Sequence, residues 1–97
     1  MNMKNNEEKY LAARLMLCKY LAQVAREKGI TQEMISEKTG FTQPNVSRML
    51  QGKYSPSLDN FMKIAESVGV YFFIIDKNAD DDLVDMMKTR WSDMFEN

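Results

Sequence analysis

Residues Thr31 to Lys53, TQEMISEKTGFTQPNVSRMLQGK, read as two short helices joined by a tight turn. Thr31 is placed to cap the first helix. Its side-chain oxygen can accept one of the backbone N–H groups that a helix start leaves unpaired, a contact worth about 1 kcal/mol. Gln32 and Glu33 fill the first turn, Ile35 is the inward position, and Ser36 is small enough for another helix to approach. Gly40 follows Lys38 and Thr39 where a helix end calls for positive φ, which glycine adopts at little cost. Thr42 then caps a second helix, with Pro44 in its first turn, where a missing N–H breaks no helix bond. Gly52 ends that helix. On a helical wheel Val46, Met49 and Leu50 share one side, whereas Gln43, Pro44, Ser47, Arg48 and Gln51 share the other. From Gly40 to Ser55 there are two cations, Arg48 and Lys53, and no anion. A polar, acid-free helix face held by a glycine turn suits entry into the major groove of DNA, where Gln and Arg can pair bidentately with base edges. An ordinary helical hairpin with a solvated polar face carries the same pattern.

The stretch also resembles the helix-turn-helix of the lambda-repressor-like family, the phage repressor and Cro type found in bacteria and phages. The likeness continues through Pro56, Ser57, Leu58, Phe61, Ile64, Ala65, Val68 and Gly69, and covers roughly residues 10 to 70. It implies that Gln43 to Gln51 is a recognition helix lying in the major groove with its N-terminal end toward the bases. The family's base-reading positions fall on Gln43, Pro44 and Arg48, with Asn45 and Ser47 beside them. Gln43 would pair with adenine and Arg48 with guanine, whereas Pro44 departs from the polar residue usual there and offers only apolar contact. Phosphate contacts would come from Gln32 and Thr42 at the helix starts and from Gln51, Lys53 and Tyr54 after the recognition helix. A second departure concerns a buried ion pair. Many members place an arginine near the end of the first helix and a glutamate near the end of the recognition helix. The matching positions here are Ala25 and Leu50. Losing one partner would strand a buried charge at roughly 3–5 kcal/mol, whereas replacing both with apolar groups can be neutral or stabilising.

The 97 residues suffice for one small domain with an extra element, and a modest core would gain stability from oligomerisation. MNMKNNEEKY at the N-terminus has no apolar run of a signal peptide, and the longest apolar run, Val70 to Ile75, is far too short for a bilayer. A cytoplasmic protein with no membrane partner is expected. Cys18 stands alone and falls on an apolar helix pattern, which implies packing, and there is no histidine. Net charge is −1, but residues 1–75 hold ten cations and seven anions, whereas residues 76–97 hold three and seven. The mildly basic part should bind DNA weakly as one copy and usefully as two.

Outside the central stretch, residues 1–6 are polar and expected to fray. A helix from about Glu7 to Lys28 follows, with Leu11, Leu15, Cys18, Leu21, Val24 and Ala25 at helical spacing. Its second face, with Tyr10, Arg14 and Met16, is free to touch another subunit. Gly29 stops it. Ser57 caps a further helix with Leu58, Phe61, Met62, Ile64, Ala65 and Val68 on its apolar face, closed by Gly69. Val70, Tyr71, Phe72, Phe73, Ile74 and Ile75 are β-branched and aromatic after a glycine, and read as a strand. A lone strand is unstable, so the expectation is antiparallel pairing with a second copy across a two-fold axis. The bland alternative is an apolar coil over the core. Asp76 to Asp82 begins with a calcium loop's spacing, but Asp81 and Met87 replace the glycine and glutamate such a loop needs, so no metal is expected. The aspartates instead favour the N-terminus of a last helix, from about Asp82 to Phe95, with Leu83, Val84, Met87, Trp91, Met94 and Phe95 in one stripe. Trp91 would anchor packing within the dimer or hold a protein partner.

The expected fold is therefore an all-α, lambda-repressor-like bundle of four to five helices, with a C-terminal strand and an extra helix. Residues 1–69 would form the DNA-binding domain and residues 70–97 the dimerisation element. The function expected is a homodimeric DNA-binding transcription regulator, a repressor, on a near-palindromic operator. An antitoxin that represses its own operon and holds a toxin through its C-terminal segment fits the same residues. A protein-binding module that had lost DNA contact would carry acids on the recognition helix. An enzyme is not expected, because no nucleophile, base and orienting group cluster, and no cofactor motif is present.

Overall fold

The computed structural model describes residues 3–90 of the chain, with side chains from Glu7 onward. Among these residues every regular element is a helix: α1 (Met3–Glu27), α2 (Gln32–Thr39), α3 (Gln43–Leu50), α4 (Leu58–Val68) and α5 (Asp81–Arg90). Helices α2 and α3 pack on each other, α1 lies against α3 and α4, and α2 lies against α4. The core sits where these four meet. Leu21 and Ala25 of α1, Ile35 of α2, Val46, Met49 and Leu50 of α3, and Ile64, Ala65 and Val68 of α4 are all buried there. Burying each large aliphatic side chain contributes about 1.5–3 kcal/mol, which outweighs the weak intrinsic stability of eight-residue helices such as α2 and α3.

The helix starts follow their capping residues. Thr31 accepts from the Met34 N–H, Thr42 from Asn45 and Ser57 from Asn60. Helix α1 begins at Met3, earlier than the fraying expected for residues 1–6. Once a helix is nucleated, each further residue adds a hydrogen bond for one residue fixed, so the helix runs on past the core. The consequence is visible in its apolar stripe: Cys18, Leu21 and Ala25 are buried, whereas Leu11 and Leu15 stay partly in solvent. Burial pushes the Cys18 thiol pKa up, and the nearby Arg14 charge pulls it partly back. Lys28, just after α1, donates its Nζ to the Val68 and Gly69 carbonyls at 2.9 and 3.3 Å, satisfying the open end of α4.

The strand expected over residues 70–75 is not formed. With no other extended segment among the described residues, the stretch has no ladder partner, and an unpaired strand is not a stable element. It leaves α4 through the Val70 N–H, bonded to the Ala65 carbonyl at 3.0 Å. Phe72 tilts against Phe61 with ring centroids 5.2 Å apart, while Tyr71 and Ile74 are 94% and 99% exposed. The aspartate-rich link folds on itself: the Asp76 carboxylate accepts from the Asn78 and Ala79 N–H groups, and Asp80 accepts from the Asp76 N–H. Helix α5 then buries none of its residues, although Val84 and Met87 are half-buried. The rest of the expected last helix, with Trp91, Met94 and Phe95, lies outside the described residues.

Candidate nucleic-acid interface

The turn between α2 and α3 is fixed by local hydrogen bonds. The Gly40 N–H reaches the Ser36 carbonyl at 2.9 Å with Gly40 at φ 81°. Thr39 Oγ1 donates to the Ile35 carbonyl at 2.7 Å and accepts from the Phe41 N–H at 3.2 Å, while the Ser36 hydroxyl donates to the Phe41 carbonyl. These bonds set the angle between the two helices. Val46, fully buried, then pins the inner face of α3, with Met49 and Leu50 beside it. The opposite face of α3 is thereby turned outward.

On that face Gln43, Pro44 and Arg48 are exposed, with Asn45 and Ser47 half-buried at its flanks. The side chains of Gln43 and Arg48 make no hydrogen bond or ion pair with any described residue, so their full bonding capacity is available to a ligand. The flanking pair is tethered. Tyr54 Oη donates to Asn45 Oδ1 at 3.2 Å, and Gln51 Nε2 donates to Ser47 Oγ at 3.0 Å. No acid stands in the first turn of α3, so the positive end of its dipole is uncompensated and faces outward with Thr42 and Gln43. Of the residues expected beside phosphates, Gln32, Thr42, Gln51 and Lys53 are exposed and Tyr54 is half-buried. Gln32 and Thr42 stand at the starts of α2 and α3, and Gln51 to Tyr54 follow the end of α3.

Arg14, expected on an outward face of α1, turns instead toward the bundle. Its Nε donates to the Gly52 carbonyl at 3.3 Å, tying α1 to the turn after α3. Gly52 is buried there, so close to Leu15 that a Cβ would stand 2.7 Å from Leu15 Cδ2. Helical spacing had placed Arg14 on a second, outward face, and nothing in the local pattern signals a contact 38 residues away. The positions of the missing family ion pair are both apolar and both in the core, with Ala25 3% and Leu50 8% exposed. No stranded charge results. Among the described residues no cluster of three or more histidine, cysteine or acidic side chains is placed to hold a metal ion. No described helix is long and apolar enough to cross a membrane.

A family model described as helix-turn-helix matches residues 21–74, more than half of the 97-residue chain. The chain belongs to the helix-turn-helix family. The lambda-repressor-like resemblance read from Thr31 to Gly69 agrees with this membership. An HTH-type transcriptional regulator of Sinorhizobium fredii is similar at 35% identity over 49 residues, covering 50% of this chain and 64% of the relative. An HTH-type transcriptional regulator of Methanothermobacter thermautotrophicus is 39% identical over 44 residues, covering 45% of this chain and 64% of the relative. The matched stretch thus spans less than two thirds of either relative. No solved structure matches the chain significantly.

Proposed function

We propose that the protein is a sequence-specific, double-stranded-DNA-binding regulator of transcription that works in the cytoplasm as a homodimer and represses by covering its operator. The observation that carries this reading is the outward face of α3. Gln43 and Arg48 are exposed and unbonded on a helix whose other face is buried in the core, in a stretch without an acid. A rigid helix presenting a bidentate amide and a guanidinium meets the chemistry of adenine and guanine edges. Gln32, Thr42, Gln51 and Lys53 form the surrounding polar row that would meet phosphates, with Tyr54 beside them, and the names of the two relatives support the same reading. In this reading residues 1–69 bind DNA. Residues 70–97 join two copies through Val70 to Ile75 and Trp91, so that two recognition helices face half-sites about 34 Å apart on a near-palindromic operator. The exposure of Tyr71, Phe73 and Ile74 supports the dimer, because a contiguous apolar strip in water marks an interaction surface. Binding of the pure protein to its upstream DNA and to a shuffled duplex tests the reading. Selective binding is expected, and equal binding to both would contradict it.

The absence of any buried residue in α5 favours a second reading, an antitoxin that grips a toxin with this C-terminal segment while repressing its own operon. Co-purification of a small toxin with the protein would favour it, and its absence would leave the plain regulator.

A further inference from the structure

We propose that Tyr54 sets base specificity by holding Asn45 as a hydrogen-bond donor; this rests on the DNA-binding reading above. Tyr54 follows α3 by four residues, and its half-buried ring packs against the core, so packing fixes the position of its hydroxyl. That hydroxyl donates to Asn45 Oδ1 at 3.2 Å. An asparagine carries one acceptor oxygen and two N–H donors, and it reads adenine by using both kinds at once. With Oδ1 turned to Tyr54, Asn45 presents its Nδ2 hydrogens outward. Guanine meets these hydrogens through O6 and N7 and thymine through O4, whereas adenine offers N7 alone and its N6 donor faces an oxygen already engaged by Tyr54. Cytosine, which shows the N4 donor there, is rejected.

The neighbouring side chains are set in the same sense. Gln51 Nε2 donates to Ser47 Oγ at 3.0 Å, which leaves Ser47 its hydroxyl proton to offer. Arg48 has donors only. Asn45, Ser47 and Arg48 therefore present a row of donors to an acceptor-rich half-site, whereas Gln43 keeps its amide oxygen and both N–H donors free. A phenol has one proton, so Tyr54 cannot donate to Asn45 and to a phosphate together. Tyr54 is a positioning residue acting through Asn45.

The test is selection of bound sequences from a library of duplexes with a randomised centre. The full chain is compared with Tyr54→Phe, Asn45→Ala and the double variant. Tyr54→Phe keeps the ring and its packing and removes only the tether. For the wild-type chain one base position should prefer guanine or thymine over cytosine by about fivefold or more. Tyr54→Phe should flatten that position and leave its neighbours unchanged. Asn45→Ala should flatten the same position, and the double variant should match Asn45→Ala alone. An unchanged profile for Tyr54→Phe, an equal loss at every position, or a wild-type preference for cytosine there would overturn the proposal while leaving DNA binding intact. A wild-type chain that selects no sequence would overturn the DNA-binding reading and this proposal with it.

Discussion

Gly40 and Gly52 both hold positive φ, at 81° and 69°, but a side chain would meet different surroundings at each. Nothing lies within 4 Å of a Cβ at Gly40, so Gly40→Ala should cost only the left-handed strain, about 1–2 kcal/mol. At Gly52 a Cβ also meets Cδ2 of Leu15, the far end of a part-exposed side chain that must turn aside, so Gly52→Ala should be the more damaging in urea unfolding. Equal losses would show that Leu15 turns aside at no cost. Arg48→Ala should weaken operator binding by about 1–3 kcal/mol and relax one base position, whereas Lys53→Ala should weaken all sequences alike and lower the salt slope by about one. Titration of binding on matched and mismatched duplexes separates the two. Cys18 gives a pH prediction. Its folded pKa is raised, so the folded protein keeps the proton longer than the unfolded chain does. Its contribution to stability is complete below the ordinary thiol value of 9.0 and falls as pH rises from there through the folded pKa. Urea unfolding from pH 7 to 10 should show the Cys18→Ala variant losing less stability than the wild type over the upper part of that range. The caps Thr31, Thr42 and Ser57 were legible in the sequence because a cap is a local event within three residues. The Tyr54–Asn45, Gln51–Ser47 and Arg14–Gly52 bonds were not, because helical periodicity says which face a residue shares and nothing about which partner its polar atoms find.

At the scale of the elements, α1 and α3 pack together, and Ala25 and Leu50, both in the core, stand at the positions where the resemblance implies a charged pair. Leu50→Glu should cost roughly 3–5 kcal/mol, because it buries a carboxylate without a partner. Adding Ala25→Arg should recover part of that loss in the same unfolding measurement. A double variant no better than the single would show that this core cannot rebuild the pair. The four helices of the bundle were readable from periodicity because each buries one face against the others. The segment after Gly69 forms no strand within the single chain, because β-branched and aromatic composition reports a preference for a pleated, half-buried surface and supplies no partner strand. The early start of α1 was missed for a related reason: residues 3–6, with one apolar residue in Met-Lys-Asn-Asn, give no apolar periodicity, yet they extend a helix already nucleated.

The whole molecule divides by charge and by exposure. Its acidic surplus lies in residues 76–97, whereas the stretch from Gly40 to Ser55 that holds α3 carries no acid. Among the described residues the most exposed large apolar ones, Tyr71 and Ile74, lie between α4 and α5 in the chain. Ile74→Asp should leave the stability of the single chain within about 0.5 kcal/mol, because the side chain touches almost nothing there. Sedimentation equilibrium should nevertheless show a weakened dimer, and operator affinity should fall with it. A variant that dimerises as the wild type does would remove residues 70–75 from the interface. The central claim is that the outward face of α3 reads DNA. Fluorescence anisotropy of the pure protein on its own upstream duplex and on a shuffled duplex, across a salt series, tests it most directly. The account predicts selective binding to the upstream duplex with a steep loss as salt rises. Weak, indistinguishable binding to both duplexes would contradict it.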